Sequence, residues 1–240
     1  MPVRIGSRVF APRVWTTLLT ALILVLLLSI GRWQLHRADE KRALYDAFAS
    51  GAGSTQTIDA AGGPLPRYQH VEASGRYDPA AQILIDNMIT ADGRAGYFVI
   101  TPLQNSDGRW LLVNRGWIPI GESRAELPAV PVPGDIRRIR GRVDQLPKPG
   151  IEIGKIPPLS PPFPIRAAFP SLGEIRAVLG ARAWTNTAEV VLLDANEPDG
   201  YLRQWAAPGF PPMRHLAYAV QWFGLALALS VIYIVSNLKS

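Results

Sequence analysis

The sequence predicts a membrane protein in which two transmembrane α-helices flank a mainly antiparallel β (α+β) extracytoplasmic domain. Two observations lead to this class. The chain of 240 residues has a long uncharged apolar segment near each end, and the segment between them contains short runs of β-type composition. Hydrophobic residues make up 48% of the chain and charged residues only 18%, a balance shifted toward membrane proteins.

The first apolar segment, residues 14–30, contains no charged residue. Together with Gly31 it is just long enough to cross a hydrocarbon layer of roughly 30 Å, since a helix rises about 1.5 Å per residue. A cleaved signal peptide is the alternative, but the segment is longer than a typical signal core and no small-x-small cleavage site follows it. The second segment, residues 216–235, is also uncharged. We therefore predict two uncleaved transmembrane helices.

The orientation of these helices follows from the short and long loops. Arg4, Arg8 and Arg13 precede the first span, and the segment between the spans is too long for the positive-inside rule to retain it. We expect a multi-pass protein of the bacterial inner membrane with a periplasmic central domain; a mitochondrial protein would follow the same logic, but the N-terminal extension is too short for a transit peptide. The predicted limits are cytoplasmic 1–13, transmembrane 14–31, periplasmic 32–210, transmembrane 211–235 and cytoplasmic 236–240.

Short runs of β-type composition fill much of the segment between the spans. They are residues 69–77, 82–89, 96–103, 110–118, 136–143 and 189–194. Asn105 to Gly108 supplies turn chemistry between the third and fourth runs, which predicts a β-hairpin. The spacing of the runs indicates a mainly antiparallel sheet or a small barrel.

Three further segments complete the predicted domain. Residues 171–180 form the best soluble helix, because Ser171 and Glu174 have the spacing of a capping box. Residues 41–49 are expected to continue the first span as a helix that emerges into water. Residues 146–170 are rich in proline and are predicted to form an extended, irregular loop.

Several classes of function lack the residues that they need. The chain has no cysteine, which excludes disulfides, thiolate nucleophiles and Cys-ligated metals. The three histidines are scattered, so a histidine zinc site is not expected. No nucleophile elbow, phosphate-binding glycine loop or H-E-x-x-H motif is present. Asp194 and Glu197 are close in sequence, but we interpret them as the end of a strand and the turn that follows it, not as a catalytic pair. We predict that the protein is not an enzyme.

The net charge of +6 comes largely from basic residues beside the apolar segments. Those around the first segment are Arg4, Arg8, Arg13, Arg32, Arg37, Lys41 and Arg42. Anionic lipid headgroups are the simplest partners for charges in these places. Because no nucleic-acid motif accompanies them, we expect contact with membrane lipids and not with nucleic acid.

Two short stretches outside the spans combine aromatic, basic and glycine residues. In the first, Gly31 to Lys41, the residues Trp33, Arg37 and Lys41 fall at helical spacing on one side; an interfacial anchor is the simpler interpretation. In the second, Asn114 to Pro119, the glycine suggests a bulge or a close approach of the backbone. Its arginine is the most interesting member, although a surface ion pair would also explain it.

The third stretch, His215 to Phe223, begins the second span. One helical face carries His215, Tyr218, Trp222, Leu229 and Tyr233. The opposite face carries Ala217, Gln221, Gly224 and Ala228, and we expect these to pack against Thr16, Thr17, Thr20 and Ala21 of the first span. The aromatic face would then be free for a partner or cofactor. Interfacial aromatic residues are the alternative, but Trp222 lies about 10 Å below His215 along the helix, deeper than such residues prefer.

Four motifs, in order along the chain, resemble the Surfeit locus protein 1 family. They are G-R-W-Q-L-x-R-x-x-x-K from Gly31, G-Y-F-V-I-T-P-L from Gly96, N-R-G-W-I-P from Asn114 and H-L-A-Y-A-V-Q-W-F from His215. The resemblance implies an assembly factor for haem-copper (cytochrome c) oxidases, a chaperone that acts where haem a is inserted into subunit I. The residues Ala38-Asp39-Glu40 depart from the family by being more acidic than expected.

The resemblance also implies residue roles. The histidine and tryptophan of the family motif carry over to His215, as an axial ligand of haem iron, and to Trp222. Beside them we expect Tyr218 along the ring and Arg214, Arg32 and Arg37 as propionate partners. His36 is the alternative ligand.

The remaining motif residues are expected to contact oxidase subunit I or haem a synthase. They are Trp33, Gln34, Lys41, Arg115 and Trp117. A membrane scaffold that stabilises subunit I or haem a synthase without binding haem is the alternative function.

Overall fold

A computed structural model describes residues 3–5, 8–51, 54–58, 63–149 and 158–239. The chain divides into a helical unit, Met1–Ala49 with Ala207–Ser240, and a β unit, Ser50–Ala206. The elements in chain order are β1 (Val3–Ile5), β2 (Arg8–Phe10), α1 (Val14–Ser50), β3 (Gln56–Thr57), β4 (His70–Tyr77), β5 (Ile83–Ile89), β6 (Ala95–Asn105), β7 (Trp110–Pro119), β8 (Ile136–Asp144), β9 (Ile165–Ala167), α2 (Leu172–Leu179), β10 (Val190–Leu193), α3 (Pro212–Asn237) and β11 (Leu238–Lys239).

Helices α1 and α3 are both long and apolar enough to cross a membrane. Large apolar side chains such as Leu22 and Leu227 point outward, each about two-thirds exposed, as expected for helices that face lipid. The predicted extension of the first helix through residues 41–49 is confirmed, because α1 continues without a break to Ser50. The β unit therefore begins where α1 ends, at Ser50.

Helices α1 and α3 pack antiparallel along one seam. The less exposed positions of α1 recur every three or four residues, as helix packing requires; they include Thr17, Thr20, Leu24, Leu27, Gly31, Gln34, Ala38, Lys41 and Tyr45. On α3 the buried positions are Ala219 and Ala226. At one end of the seam the hydroxyl oxygens of Thr17 and Tyr233 lie 2.6 Å apart.

The predicted faces of the second span are wrong. Gly224 is exposed and a Cβ built on it would meet nothing within 4 Å, and Ala217, Gln221 and Ala228 are exposed as well. The seam is formed instead by the side of α3 that carries His215, Phe223 and Tyr233. Phe223 fits into a notch at Gly31, where an added Cβ would lie only 2.7 Å from the ring. Interlocking of a large side chain with a glycine therefore determines the packing.

Short strands pair the segment before α1 with the segment after α3. β2 pairs antiparallel with both β1 and β11, and the Ala11 amide donates to the Asn237 carbonyl at 3.0 Å. These strands could not be predicted from the sequence, because two or three residues show no periodic pattern. The segments that precede α1 and follow α3 therefore meet at the same end of the helix pair.

All six predicted strands are present in one eight-stranded sheet of order β3-β4-β8-β10-β7-β6-β5-β9. An additional pairing of β4 with β6 closes five strands, β4, β8, β10, β7 and β6, into a small barrel. At this closure a Cβ on Gly75 would lie 2.2 Å from the Gln104 carbonyl oxygen, so only glycine permits the approach. The barrel interior is filled by Val71, Ala73, Tyr77, Leu103, Leu111, Val113, Ile139, Val143, Val191 and Leu193.

The remaining local predictions fall into two groups. The hairpin of β6 and β7 and the capping box of α2 are confirmed, and Ile175 and Leu179 of α2 are buried in the core beside β5. The proline-rich segment is not wholly irregular, because Ile165–Ala167 forms β9 and pairs parallel with β5. Residues 150–157 of that segment lie outside the described residues.

Candidate functional site

Arg115 lies on β7 and is the largest fully buried side chain of the β unit, with 2% of its surface exposed. Its guanidinium donates to the carbonyl oxygens of Asp199 at 2.7 Å and Pro131 at 2.8 Å, and to Oε1 of Gln82 at 3.0 Å. The ring of Tyr201 lies 5.0 Å from its central carbon. Burial lowers the pKa of the Arg115 guanidinium from its ordinary value. The buried guanidinium thus donates its hydrogen bonds to neutral oxygen atoms.

The neighbouring residues hold the segment that contains Tyr201 and Leu202 against β7. The pairing register of β6 and β7 shifts at this point. Gly116 has a φ of +113°, and a Cβ built on it would lie only 2.8 Å from the Leu202 carbonyl oxygen. The predicted bulge and close backbone approach are both present. Trp117 exchanges backbone hydrogen bonds with Leu202, and its indole donates to the Met88 carbonyl at 2.9 Å.

The predicted partner contacts through Arg115 and Trp117 are therefore corrected. Trp117 is 5% exposed, and both side chains are buried inside the β unit. The alternative of a surface ion pair at Arg115 is wrong for the same reason. The acidic pair at Asp194 and Glu197 follows β10 and turns the chain, as predicted; both carbonyls accept from Arg203 at 2.7 Å.

The residues at the exit of α1 do not act as one group. Trp33 is 54% exposed, whereas Lys41 turns to the Pro208 carbonyl at 3.4 Å within the helical unit. Arg37 pairs with Glu40, which also lies 3.2 Å from the His36 ring. The unusual acidic residues of this stretch thus neutralise basic neighbours on the same helix.

The stretch from His215 to Phe223 contains a polar contact between α1 and α3. Gln34 of α1 places its Oε1 atom 2.9 Å from Nδ1 of His215 on α3, and both side chains are half-buried in the seam. Gln34 was predicted to contact a partner protein; within this chain it contacts His215. The pair was not predicted from the sequence, although each residue is a polar side chain at the end of an apolar span.

The contact with Gln34 sets the chemistry of His215. A carboxamide oxygen only accepts hydrogen bonds, so a neutral His215 that donates to it through Nδ1 has its lone pair on Nε2. Within the described part of the chain, Nε2 has no hydrogen-bond partner. Such an atom can ligate a metal ion, and no group of three or more His, Cys, Asp or Glu residues elsewhere in the described ranges forms a metal cluster.

The other residues predicted for a haem site, apart from Arg37, are two aromatic residues and two cations. Trp222 is half-buried and Tyr218 is 41% exposed on α3. Arg214 lies over the Phe210 ring, 3.9 Å from its centroid. Arg32 on α1 is exposed. The structure thus keeps His215 at the seam and separates it from Tyr218, which faces outward.

Comparison with known proteins covers the same stretches. The sequence model of the SURF1 family matches residues 21–227, which include all four motifs. The chain is 25% identical over 233 residues to a SURF1-like protein of Rickettsia felis, with 92% of this chain and 96% of the relative covered. Over 106 residues it is 31% identical to a SURF1-like protein of Dictyostelium discoideum, with 39% of this chain and 38% of the relative covered.

Proposed function

Because this chain belongs to the SURF1 family of oxidase assembly factors, we propose that it assists the insertion of haem a into subunit I of a haem-copper (cytochrome c) oxidase. In this proposal the haem is held transiently at the seam of α1 and α3. The observation that supports it most is the His215 imidazole, whose Nδ1 contacts Gln34 and whose Nε2 has no hydrogen-bond partner among the residues that the structure describes. The function is binding and transfer, without a catalytic step.

The residues at the seam fit a haem group. Haem supplies an iron that takes a neutral imidazole nitrogen as an axial ligand, and Nε2 of His215 is such a nitrogen. Trp222 offers aromatic surface on the same helix, against which a flat apolar ring can pack, whereas Tyr218 faces outward and suits this role less well than the sequence predicted. A single protein ligand with open surroundings suits a group that is passed on.

Two arginines are the available partners for the haem propionates. Arg214 and Arg32 are exposed, and neither forms an ion pair with an acidic residue in the described part of the chain. Arg37 suits this role less well than the sequence predicted, because Glu40 already pairs with it. A propionate at Arg37 would have to compete with a carboxylate three residues away on the same helix.

The site is consistent with a multi-pass protein of the bacterial inner membrane whose β unit is periplasmic. Two helices of sufficient length and the meeting of β2 with β11 support this topology. His215, in the first turns of α3, then lies near the periplasmic surface, where subunit I and haem a synthase are accessible.

A reporter that is active only in the periplasm should work when fused within the β unit and fail at Ser240.

A scaffold without haem is the second candidate function. Trp33 and Tyr218 are large aromatic side chains that the helical unit leaves exposed, and exposed aromatic residues are typical of protein contacts. In this case the protein would grip subunit I or haem a synthase, and His215 would only join α1 to α3.

Purification of the full-length protein from cells that make haem a distinguishes these functions. We expect the wild-type protein to show a haem absorption spectrum and His215→Ala to lose it while it accumulates to the same level. His36→Ala is the matched control, since His36 is exposed and pairs with Glu40. Wild-type protein without haem would leave the scaffold as the function. Loss of haem in His36→Ala alone would move the ligand to His36.

A further inference from the structure

Among the described residues, Gln34 is the only side chain that forms a hydrogen bond with His215. We propose that Gln34 is a positioning residue: it fixes His215 in the tautomer that is protonated at Nδ1 and so presents Nε2 to the ligand. This inference rests on the proposed function for its consequence, but the tautomer itself is a property of the haem-free protein.

The direction of the hydrogen bond between Gln34 and His215 determines which tautomer is favoured. Oε1 of Gln34 has lone pairs and no proton, so at 2.9 Å from Nδ1 it can only accept. In water, a neutral imidazole exchanges its proton between both nitrogens. At a half-buried position with one acceptor, the tautomer that donates to that acceptor is favoured, because the other would place two lone pairs against each other. Ligand histidines in metal sites are oriented by such partners.

The packing on either side of Gln34 holds it at this position. Gly31, one turn before it on α1, is buried against Phe223, and Ala38, one turn after it, is fully buried. Since both neighbouring turns of α1 are fixed, the Gln34 side chain meets His215 at a set height along the helix pair. The seam therefore supports the hydrogen bond, and the bond does not have to hold the helices together.

The chain offers a matched pair of glutamines for the test. Gln34→Met removes the acceptor oxygen but keeps the length of an unbranched side chain. Gln221→Met makes the same change on the exposed side of α3. Gln34→Glu keeps an acceptor oxygen at the position and serves as the conservative replacement.

The first measurement uses full-length, haem-free protein in detergent, with histidine labelled with nitrogen-15. The chain has only three histidines, so single replacements assign their signals. At a pH where imidazole is neutral, the wild-type, Gln34→Glu and Gln221→Met proteins should show His215 protonated at Nδ1. Gln34→Met should show a mixture of tautomers. A wild-type His215 protonated at Nε2, or a mixture in the wild type, would overturn the proposal.

The second measurement is the haem spectrum of the same proteins purified from cells that make haem a. Gln34→Met should bind at least several-fold less haem than wild type, at equal thermal stability, and Gln34→Glu should restore most of it. Equal haem in Gln34→Met and wild type would overturn the positioning role and leave the proposed function intact. A wild-type protein without haem, with the expected tautomer, would instead overturn the proposed function.

Discussion

The polar residues of the sequence motifs differ in burial and in hydrogen bonding between the β unit and the helical unit. In the β unit, Arg115 is buried among carbonyl and side-chain oxygens that come from four separate segments. In the helical unit, His215 is half-buried, and in the described part of the chain its Nδ1 has one side-chain partner, Gln34, while its Nε2 has none. A polar group whose bonds are all made within its own chain stabilises the fold. A neutral imidazole nitrogen that no group of the fold occupies can bind a ligand.

The largest effect that sharpens this comparison is expected at Arg115. Replacing it with Met leaves several buried acceptors without donors, and should lower the free energy of unfolding of the β unit by about 3 to 5 kcal/mol. The measurement is denaturant unfolding of full-length protein, followed by the β signal in circular dichroism. Arg94→Met is the control at an arginine with a side chain 58% exposed. Equal stabilities of the two variants would mean that Arg115 does not hold the fold.

A smaller effect is expected in the packing of the two helices. A Cβ at residue 31 would lie 2.7 Å from the Phe223 ring, so Gly31→Ala should cost about 1 to 3 kcal/mol of helix-pair stability. Gly224→Ala should have little effect, since nothing lies within 4 Å of that Cβ. Thermal unfolding in detergent measures both variants. Adding Phe223→Leu to Gly31→Ala should recover stability, and failure to do so would argue against the notch.

The smallest effect concerns the cap of α2, which is purely local. Ser171→Ala should cost about 1 kcal/mol. Hydrogen bonds from Ser171 lower the pKa of the Glu174 carboxyl, so its contribution is present at neutral pH and is lost as the pH falls through the lowered value. Urea unfolding at neutral and acidic pH should show a smaller pH dependence in Ser171→Ala than in Ser160→Ala, a serine outside any cap. Identical pH dependence would contradict the capping role.

Features encoded within a few residues could be predicted from the sequence. The β-type composition of β4 to β8, the turn at Asn105 to Gly108 and the capping box of α2 each depend on neighbours in the chain. The closure of the barrel between β4 and β6 could not be predicted, because it depends on contacts between distant strands. The strand β9 was hidden within a proline-rich segment for the same reason.

The candidate site was predicted in its residues but not in their arrangement. A helix that is apolar on all sides gives no periodic signal for its packing face, so the small residues near Gly224 were wrongly placed at the seam. The charge of Arg115 suggested a surface position, because its acceptors come from segments far apart in sequence. His215 and Gln34 were each selected, but their contact joins residues 181 positions apart.

The most direct test of the account is the haem a content of the oxidase in cells whose own copy of this protein is replaced by His215→Ala. The account predicts that the variant accumulates to the wild-type level, because the seam and the β unit remain packed, and that the oxidase contains several-fold less haem a per subunit I. A full complement of haem a with His215→Ala would contradict the assignment of function to the helical unit.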